Sequence, residues 1–189
     1  MLIKISRQDC LKMYPKLPTK VYDTDKDNDI YFYPEAYSYE ILTVARNTFR
    51  GRITMLGVEI SKIVKKTGCN NLIFLGDDSI PWLYRDSDYK PAKLALDYLL
   101  ENKVGKKFNG ALRVDGLQIP AFVRHLAWLT RCNTLLPYVY FTDPKHNIIG
   151  SICQYGNLHI SILNIKTAQI LQTYFENSKL EQLNAEHCT

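Results

Sequence analysis

Cysteine and histidine side chains offer the most reactive chemistry in this 189-residue chain. A cysteine nucleophile needs a histidine within hydrogen-bond reach and a third group that orients the histidine. Cys132 or Cys153 could form such a pair with His125 or His159. However, the sequence has no nucleophile signature and no Gly-rich phosphate loop. We therefore predict no enzymatic activity and no catalytic residue, and a small Cys/His-dependent hydrolase is an alternative.

The spacing of these residues also disfavours a metal site, because structural zinc sites are typically built from closely spaced pairs of ligands. His125, Cys132, Cys153 and His159 follow one another at intervals of 7, 21 and 6 residues, and the chain has no C-x-x-C pair. We predict that the protein needs no metal and no cofactor, and that its cysteines are free thiols. The five cysteines are Cys10, Cys69, Cys132, Cys153 and Cys188.

Two short segments combine carboxylates with aromatic side chains. Residues 77–89, DDSIPWLYRDSDY, hold four acids, one base, one tryptophan and two tyrosines, although a connecting loop is usually polar and small. Residues 23–40, DTDKDNDIYFYPEAYSYE, hold six acids and one base. The whole chain nevertheless carries a net charge of +5, so the rest of it is strongly basic. Such a charge asymmetry indicates a partner that is selected electrostatically.

These acidic segments are candidates for a protein-binding surface. Tyr, Trp and Arg are enriched in interface cores, and carboxylates speed the encounter with a positively charged partner. The alternative is that Trp82 and Tyr84 pack into the core, while the aspartates solvate a loop and cap a helix. The predicted contact residues are Asp25, Asp27, Asp29, Tyr31, Tyr33, Asp77, Asp78, Trp82, Tyr84, Asp86 and Asp88.

The basic residues support a second hypothesis, a protein that binds nucleic acid through a Lys/Arg patch. A binder of single strands needs stacking aromatics inside a positive groove, whereas in this sequence the aromatics accompany the carboxylates. We therefore expect no direct contact with nucleic acid. Arg124, Trp128 and Arg131 recur at helical spacing and could either hold an anion or pack arginine stems on the indole. The patch comprises Arg46, Arg50, Arg52, Lys62, Lys65, Lys66, Lys103, Lys106 and Lys107.

Periodicity and turn residues predict a mixed α+β fold with about five helices and a partly antiparallel sheet that ends in a three-stranded meander. We expect one domain over residues 1–189, with a ragged tail near 184–189. Helices are predicted over 35–49, 52–68, 90–105, 119–133 and 165–183. Strands are predicted over 71–76, 109–116, 138–143, 148–155 and 158–163.

The register of the predicted hairpin over residues 148–163 determines which side chains lie on the same face of the sheet as His159. A two-residue turn at Gly156 and Asn157 would pair Gln154 with His159, away from the core. It would also place Cys153 on the opposite, apolar side of the sheet. We expect His159 to be a half-buried, hydrogen-bonded histidine, and a place on a binding surface is the alternative.

Three stretches resemble immunity proteins of bacterial polymorphic-toxin systems, with contact-dependent growth inhibition as the setting. They are GDDSIPWLYRDSDYKPAKLALDYLLENKVGKKFNGALRVDG, FVRHLAWLTRCNTLLPYVYFTD and CQYGNLH, and the likeness covers roughly residues 72–163. The resemblance implies a cytoplasmic protein that neutralises one cognate toxin domain, for example a nuclease, and it implies no catalytic residue. No apolar run suits a bilayer span, so we expect no membrane partner and a monomer or weak dimer.

Overall fold

The structure is a computed structural model that describes residues 2–132, 135–136, 139–183 and 188. Within these residues the protein has five helices, an eight-stranded sheet and a separate two-stranded sheet. The predicted α+β class is confirmed. The helices are α1 (Arg7–Met13), α2 (Phe49–Lys66), α3 (Lys90–Glu101), α4 (Ile119–Arg131) and α5 (Ile165–Glu176). The strands are β1 (Ile3–Ile5), β2 (Thr19–Asp23), β3 (Asn28–Phe32), β4 (Ser38–Thr43), β5 (Asn71–Leu75), β6 (Ala111–Asp115), β7 (Tyr140–Thr142), β8 (Ile148–Ile152), β9 (Leu158–Ile162) and β10 (Glu181–Gln182).

The large sheet has the order β1-β6-β5-β7-β8-β9-β4-β10, and each of its pairings is antiparallel. Helices α2 to α5 cover one face of this sheet, where Phe74 packs 4.6 Å from Phe122 and 5.2 Å from Phe141, measured between ring centroids. Helices α2 and α4 approach closely because Gly57 has no side chain: a Cβ atom there would lie 2.8 Å from the backbone of Pro120. Helices α2 to α5 therefore form one layer on this sheet.

The opposite face of the sheet is covered only in part. Helix α1 and the segment after it bury Cys10 and Leu17 against Ile73, Leu75 and Ala111. Beyond these residues the same face continues across β7, β8, β9 and β4, where a cavity opens. The β2–β3 hairpin, which is the two-stranded sheet, precedes β4 in the chain.

The helix predicted over 35–49 is wrong, because residues 38–43 form strand β4 and pair with β9. The sequence SYEILT alternates between the two faces of a sheet and carries a β-branched residue, so tertiary pairing overrides the weak helical pattern. The helix predicted over 165–183 ends at Glu176, and β10 follows it at the sheet edge. The predicted helices over 52–68, 90–105 and 119–133 and the meander are confirmed; α2 begins earlier than predicted, at Phe49, and the other elements are shorter.

The predicted register of the last hairpin is also wrong. Residues 154–156 form a longer turn in which Gly156 has φ +78°, and Ser151 pairs with His159 instead of Gln154. The shift is three residues, and an odd shift exchanges the two faces of a strand. Cys153 therefore lies on the same side as His159, while Leu158, Ile160 and Ile162 face the core as predicted.

Two further predictions concern the C-terminal tail and a possible membrane span. The ragged tail predicted near residues 184–189 lies outside the described residues, except for Cys188. Among the helices that the structure describes, none combines the length and the apolar character needed to cross a membrane.

Candidate interaction surface and cysteine–histidine cluster

A single lysine joins the two acidic segments. Lys20, in β2, places its Nζ 3.0 Å from Asp29, 3.2 Å from Asp77 and 3.4 Å from Asp78. Burial alone would lower the pKa of Lys20, but hydrogen bonds and charges from the three carboxylates outweigh burial and raise that pKa above its usual range. The same ammonium helps to hold the pKa of Asp78 below its ordinary value, against the opposing effect of burial. The β2–β3 hairpin is thereby fastened to the loop that follows β5.

Two of the predicted contact residues are interior and unavailable to a partner, so the prediction is wrong for them. Trp82 is 1% exposed, and its Nε1–H donates a hydrogen bond of 2.8 Å to the carbonyl of Gly110. Asp77 is 5% exposed, and its Oδ1 accepts hydrogen bonds from the backbone N–H groups of Ser79 and Ile80. Core packing, the alternative weighed for Trp82, is correct, and Asp77 fixes the turn that begins the loop.

The other predicted contact residues reach the surface to different degrees. Tyr84 is 49% exposed under the guanidinium of Arg85, and Asp86 and Asp88 beside it are exposed. We name Tyr84, Asp86 and Asp88 the loop patch. Asp78 is also exposed but belongs to the Lys20 junction.

The hairpin presents the second set of carboxylates and aromatics. Asp25 and Asp27 are exposed, whereas Asp29 and Tyr31 are half-buried. Sequence reasoning missed Lys20 and the exposed Tyr22 and Phe32, although their place on an alternating two-stranded ribbon is a readable signal. We name the following set the hairpin patch: Tyr22, Asp23, Asp25, Asp27, Asp29, Tyr31, Phe32 and Tyr33.

Tyr33 connects the hairpin patch with the cavity on the open face of the sheet. Its hydroxyl lies 2.7 Å from that of Tyr140, and the two rings meet edge to face at 5.9 Å. The cavity has a volume of about 370 Å³. Its lining consists of Tyr33, Tyr39, Tyr140, Ile149, Gly150, Ser151, His159 and Ser161.

His159 is also part of a cluster with two cysteines. The sulfur of Cys188 lies 3.1 Å from that of Cys153 and 3.1 Å from Nε2 of His159, and the three donor atoms all lie within 4.8 Å of one another. The Tyr39 hydroxyl contacts the other ring nitrogen, Nδ1, at 2.5 Å. The structure thus brings Cys153 and His159 together, one of the pairs that the sequence suggested.

The two thiols of the cluster differ in acidity. Burial opposes ionisation of Cys153, but hydrogen bonds from His159, Cys188 and the backbone N–H groups of Asn157 and Tyr155 lower its pKa to about 7. Burial raises the pKa of Cys188 to about 11. The sequence analysis missed Cys188 because 29 residues separate it from His159, and no local pattern links them.

The arginine stripe of α4 faces a different, basic cavity of about 360 Å³. Arg124 lines it together with Trp128, Arg50 and Lys90. The guanidinium of Arg131 lies 4.3 Å from the ring centroid of Phe49, which itself meets Trp128 edge to face at 4.7 Å. Aromatic and basic side chains therefore do adjoin here, although the sequence suggested that they are segregated.

His125 completes the lining of the basic cavity. Its ring stacks on Tyr98 at a centroid distance of 4.3 Å. Burial, together with the charge of Arg124, lowers the pKa of His125 to about 4. Cys132 is half-buried at the end of α4, where burial raises the pKa of its thiol.

Comparison of the chain with protein-family models, with curated proteins and with solved structures gives no match.

Proposed function

We propose that this protein is an inhibitor that binds one partner protein through the hairpin patch and the loop patch. The observation that carries the proposal is the Lys20 junction, because it fastens two acidic, aromatic segments that are far apart in the sequence. The resemblance to immunity proteins adds the class of the partner, a cognate toxin domain of a polymorphic-toxin system. On this proposal the inhibitor acts in the cytoplasm as a monomer or weak dimer.

The chemistry of the patches suits a partner with a positive cleft. Exposed carboxylates raise the rate of encounter with such a cleft, and a toxin that cuts nucleic acid needs one for its phosphates. Exposed aromatics such as Tyr33 and Phe32 can supply the apolar contacts that dominate binding energy. The cavity beside Tyr33 can receive an arginine or lysine of the partner over its tyrosine rings, a contact worth about 0.5–2 kcal/mol depending on burial.

The direct test is titration of the purified chain with the toxin domain encoded in the neighbouring reading frame. Truncating a central aromatic, as in Tyr33→Ala or Tyr84→Ala, should weaken binding about thirtyfold, which corresponds to about 2 kcal/mol. A paired Asp25→Asn and Asp27→Asn variant should mainly slow association and reduce its dependence on salt. The left-handed backbone at Asp27, φ 49°, tolerates asparagine, so this variant should fold normally.

A matched control removes two charges elsewhere. Lys65 and Lys66 are exposed at the end of α2, so a paired Lys65→Gln and Lys66→Gln variant changes the net charge by the same amount with the opposite sign. It should leave the affinity for the toxin domain unchanged. If the lysine variant weakens binding while the aspartate variant does not, the partner is acidic and binds the basic side of the molecule.

The basic cavity favours nucleic acid binding as a second candidate function. Arg50, Lys90 and Arg124 surround Trp128, an arrangement in which a base could stack while cations contact the phosphates. Binding of single-stranded DNA or RNA without any protein partner would support this candidate. Such binding should weaken steeply with salt and should be lost in an Arg124→Gln variant.

The contact between Cys153 and His159 is the observation behind a third candidate, the Cys/His-dependent hydrolase. The thiol of Cys188 lies within 3.1 Å of both partners and would compete with a substrate for this position. Hydrolysis of an ester or peptide that is lost in Cys153→Ala but retained in Cys132→Ala would establish the enzyme.

A further inference from the structure

We propose that Cys153, His159 and Cys188 bind one zinc ion, with the fourth position left for water. Two thiolates and an imidazole are a donor set that suits zinc, and three protein ligands plus one open position are typical of zinc sites that are not purely structural. The site is independent of the proposed inhibitory function.

The geometry needs only a small adjustment to hold the ion. In a tetrahedral zinc site with Zn–S of about 2.3 Å and Zn–N of about 2.05 Å, two sulfurs lie ~3.8 Å apart and sulfur and nitrogen ~3.6 Å apart. In the protein both separations that involve Cys188 are 3.1 Å. The Cys188 sulfur therefore has to move away from each of the other two donor atoms by less than ~1 Å, which a side-chain rotation provides.

A surrounding group already orients the histidine donor. Nδ1 of His159 lies 2.5 Å from the Tyr39 hydroxyl, which can accept the Nδ1–H hydrogen bond and leave Nε2 free for the metal. Such a partner on the second ring nitrogen accompanies nearly every histidine that ligates a metal.

Asn157 gives an independent indication of a missing group. The residue is 2% exposed, and its Nδ2 donates a hydrogen bond of 3.0 Å to the sulfur of Cys188. Among the described residues its Oδ1 has no hydrogen-bond partner, although a buried polar atom is normally satisfied. A metal-bound water beside Cys188 would supply the missing donor.

A zinc ion explains the cluster better than a catalytic pair does. A catalytic pair needs one sulfur and one imidazole with free access for a substrate, whereas the cluster holds a second sulfur between them. Zinc would also tie Cys188, close to the end of the chain, to the turn between β8 and β9. Metal binding would thus fix Cys188 beside the cavity that Tyr33 and His159 line.

The test uses the full chain, purified under reducing conditions and stripped of metal with a chelator. Titration with Zn²⁺ against a competing chelator, and with Co²⁺ by absorption, should show one equivalent and a thiolate-to-cobalt charge-transfer band. Cys153→Ser and Cys188→Ser should each weaken Zn²⁺ binding more than ~100-fold, and Tyr39→Phe by about 10- to 100-fold. Cys132→Ser, which alters a half-buried cysteine outside the cluster, is the control and should bind like the parent.

Three results would overturn the site. The first is a parent protein that binds no stoichiometric Zn²⁺ or Co²⁺. The second is a charge-transfer band that survives in both Cys153→Ser and Cys188→Ser. The third is a disulfide between Cys153 and Cys188, seen in protein isolated from cells without exposure to oxidant as an intact mass two hydrogens below that of the reduced chain, a difference that disappears in both Cys153→Ser and Cys188→Ser.

Discussion

Replacing Lys20 with methionine should destabilise the protein far more than a surface lysine substitution normally does. The lysine side chain is 16% exposed, and its ammonium neutralises Asp77, whose side chain is 2% exposed. Methionine keeps most of the apolar stem, so the change removes the charge and little of the packing. The carboxylate of Asp77 would then be buried without a counterion.

The size of the effect follows from burial and from the hydrogen bonds that remain. Breaking a buried ion pair by removing one partner costs about 3–5 kcal/mol, because the remaining charge is uncompensated. Asp77 keeps its two backbone N–H donors, Ser79 and Ile80, and these still stabilise the charged form. We therefore expect the free energy of unfolding to fall by ~3 kcal/mol in Lys20→Met, at the lower end of that range.

Urea denaturation of four proteins measures this effect: the parent, Lys20→Met, Asp77→Asn and the double variant. The double variant should lose less than the sum of the single losses, with a coupling free energy of about 1–3 kcal/mol. Lys26→Met is the control, because Lys26 is 71% exposed and lies 3.7 Å from Asp23. An exposed pair of this kind contributes no more than ~1 kcal/mol.

A stabilising junction at Lys20 is excluded if Lys20→Met costs no more free energy of unfolding than Lys26→Met, or if the losses from Lys20→Met and Asp77→Asn are additive. Either result would mean that the junction does not hold the hairpin to the loop. The proposed composite surface would then lose its main support.

Trp82→Ala should lower the free energy of unfolding by about 3–5 kcal/mol in a denaturant titration, because it empties a buried site, whereas Tyr84→Ala should change it by less than ~0.5 kcal/mol. Gly57→Ala should cost about 1–3 kcal/mol, because its Cβ would meet the Pro120 backbone; an unchanged denaturation midpoint would contradict that contact. His125 has a pKa of about 4 in the folded state, below its ordinary value of 6.5. Because the unfolded chain therefore binds the proton at a higher pH than the folded chain does, the free energy of unfolding falls as the pH is lowered from about 6.5 to 4. Denaturation across this pH range should show that the free energy of unfolding falls by up to ~3 kcal/mol in the parent and by less in His125→Gln. An equal pH dependence of the free energy of unfolding in the two proteins would contradict the low pKa of His125.

Helices and strands with strong local patterns could be predicted from the sequence. The stripe of Ile53, Leu56, Ile60 and Ile63 repeats with the period of a helix and needs no tertiary contact to be recognised. Gly68 adopts φ +71° just after that helix, as its position in the sequence suggested. The meander is similar, since its alternating apolar runs are short and separated by turn residues.

The elements that were misjudged depend on distant partners. Residues 38–43 become a strand because β9 provides hydrogen bonds along one side and β10 pairs with part of the other. The local propensity of residues 38–43 cannot reflect either neighbouring strand, since more than 100 residues of the chain separate each of these strands from β4. The register of the β8–β9 hairpin was lost for a smaller reason, a single left-handed glycine that lengthens the turn and reverses the faces.

The candidate sites show the same division. Composition by itself revealed two acidic, aromatic segments on a basic chain, because charge and residue type are fixed by the sequence. Whether an aromatic in such a segment is exposed depends on the space around it, and the fold buries Trp82 while leaving Tyr84 at the surface. Only tertiary structure brought Lys20 to Asp77 and Cys188 to His159, because both contacts close long loops that no local pattern encodes.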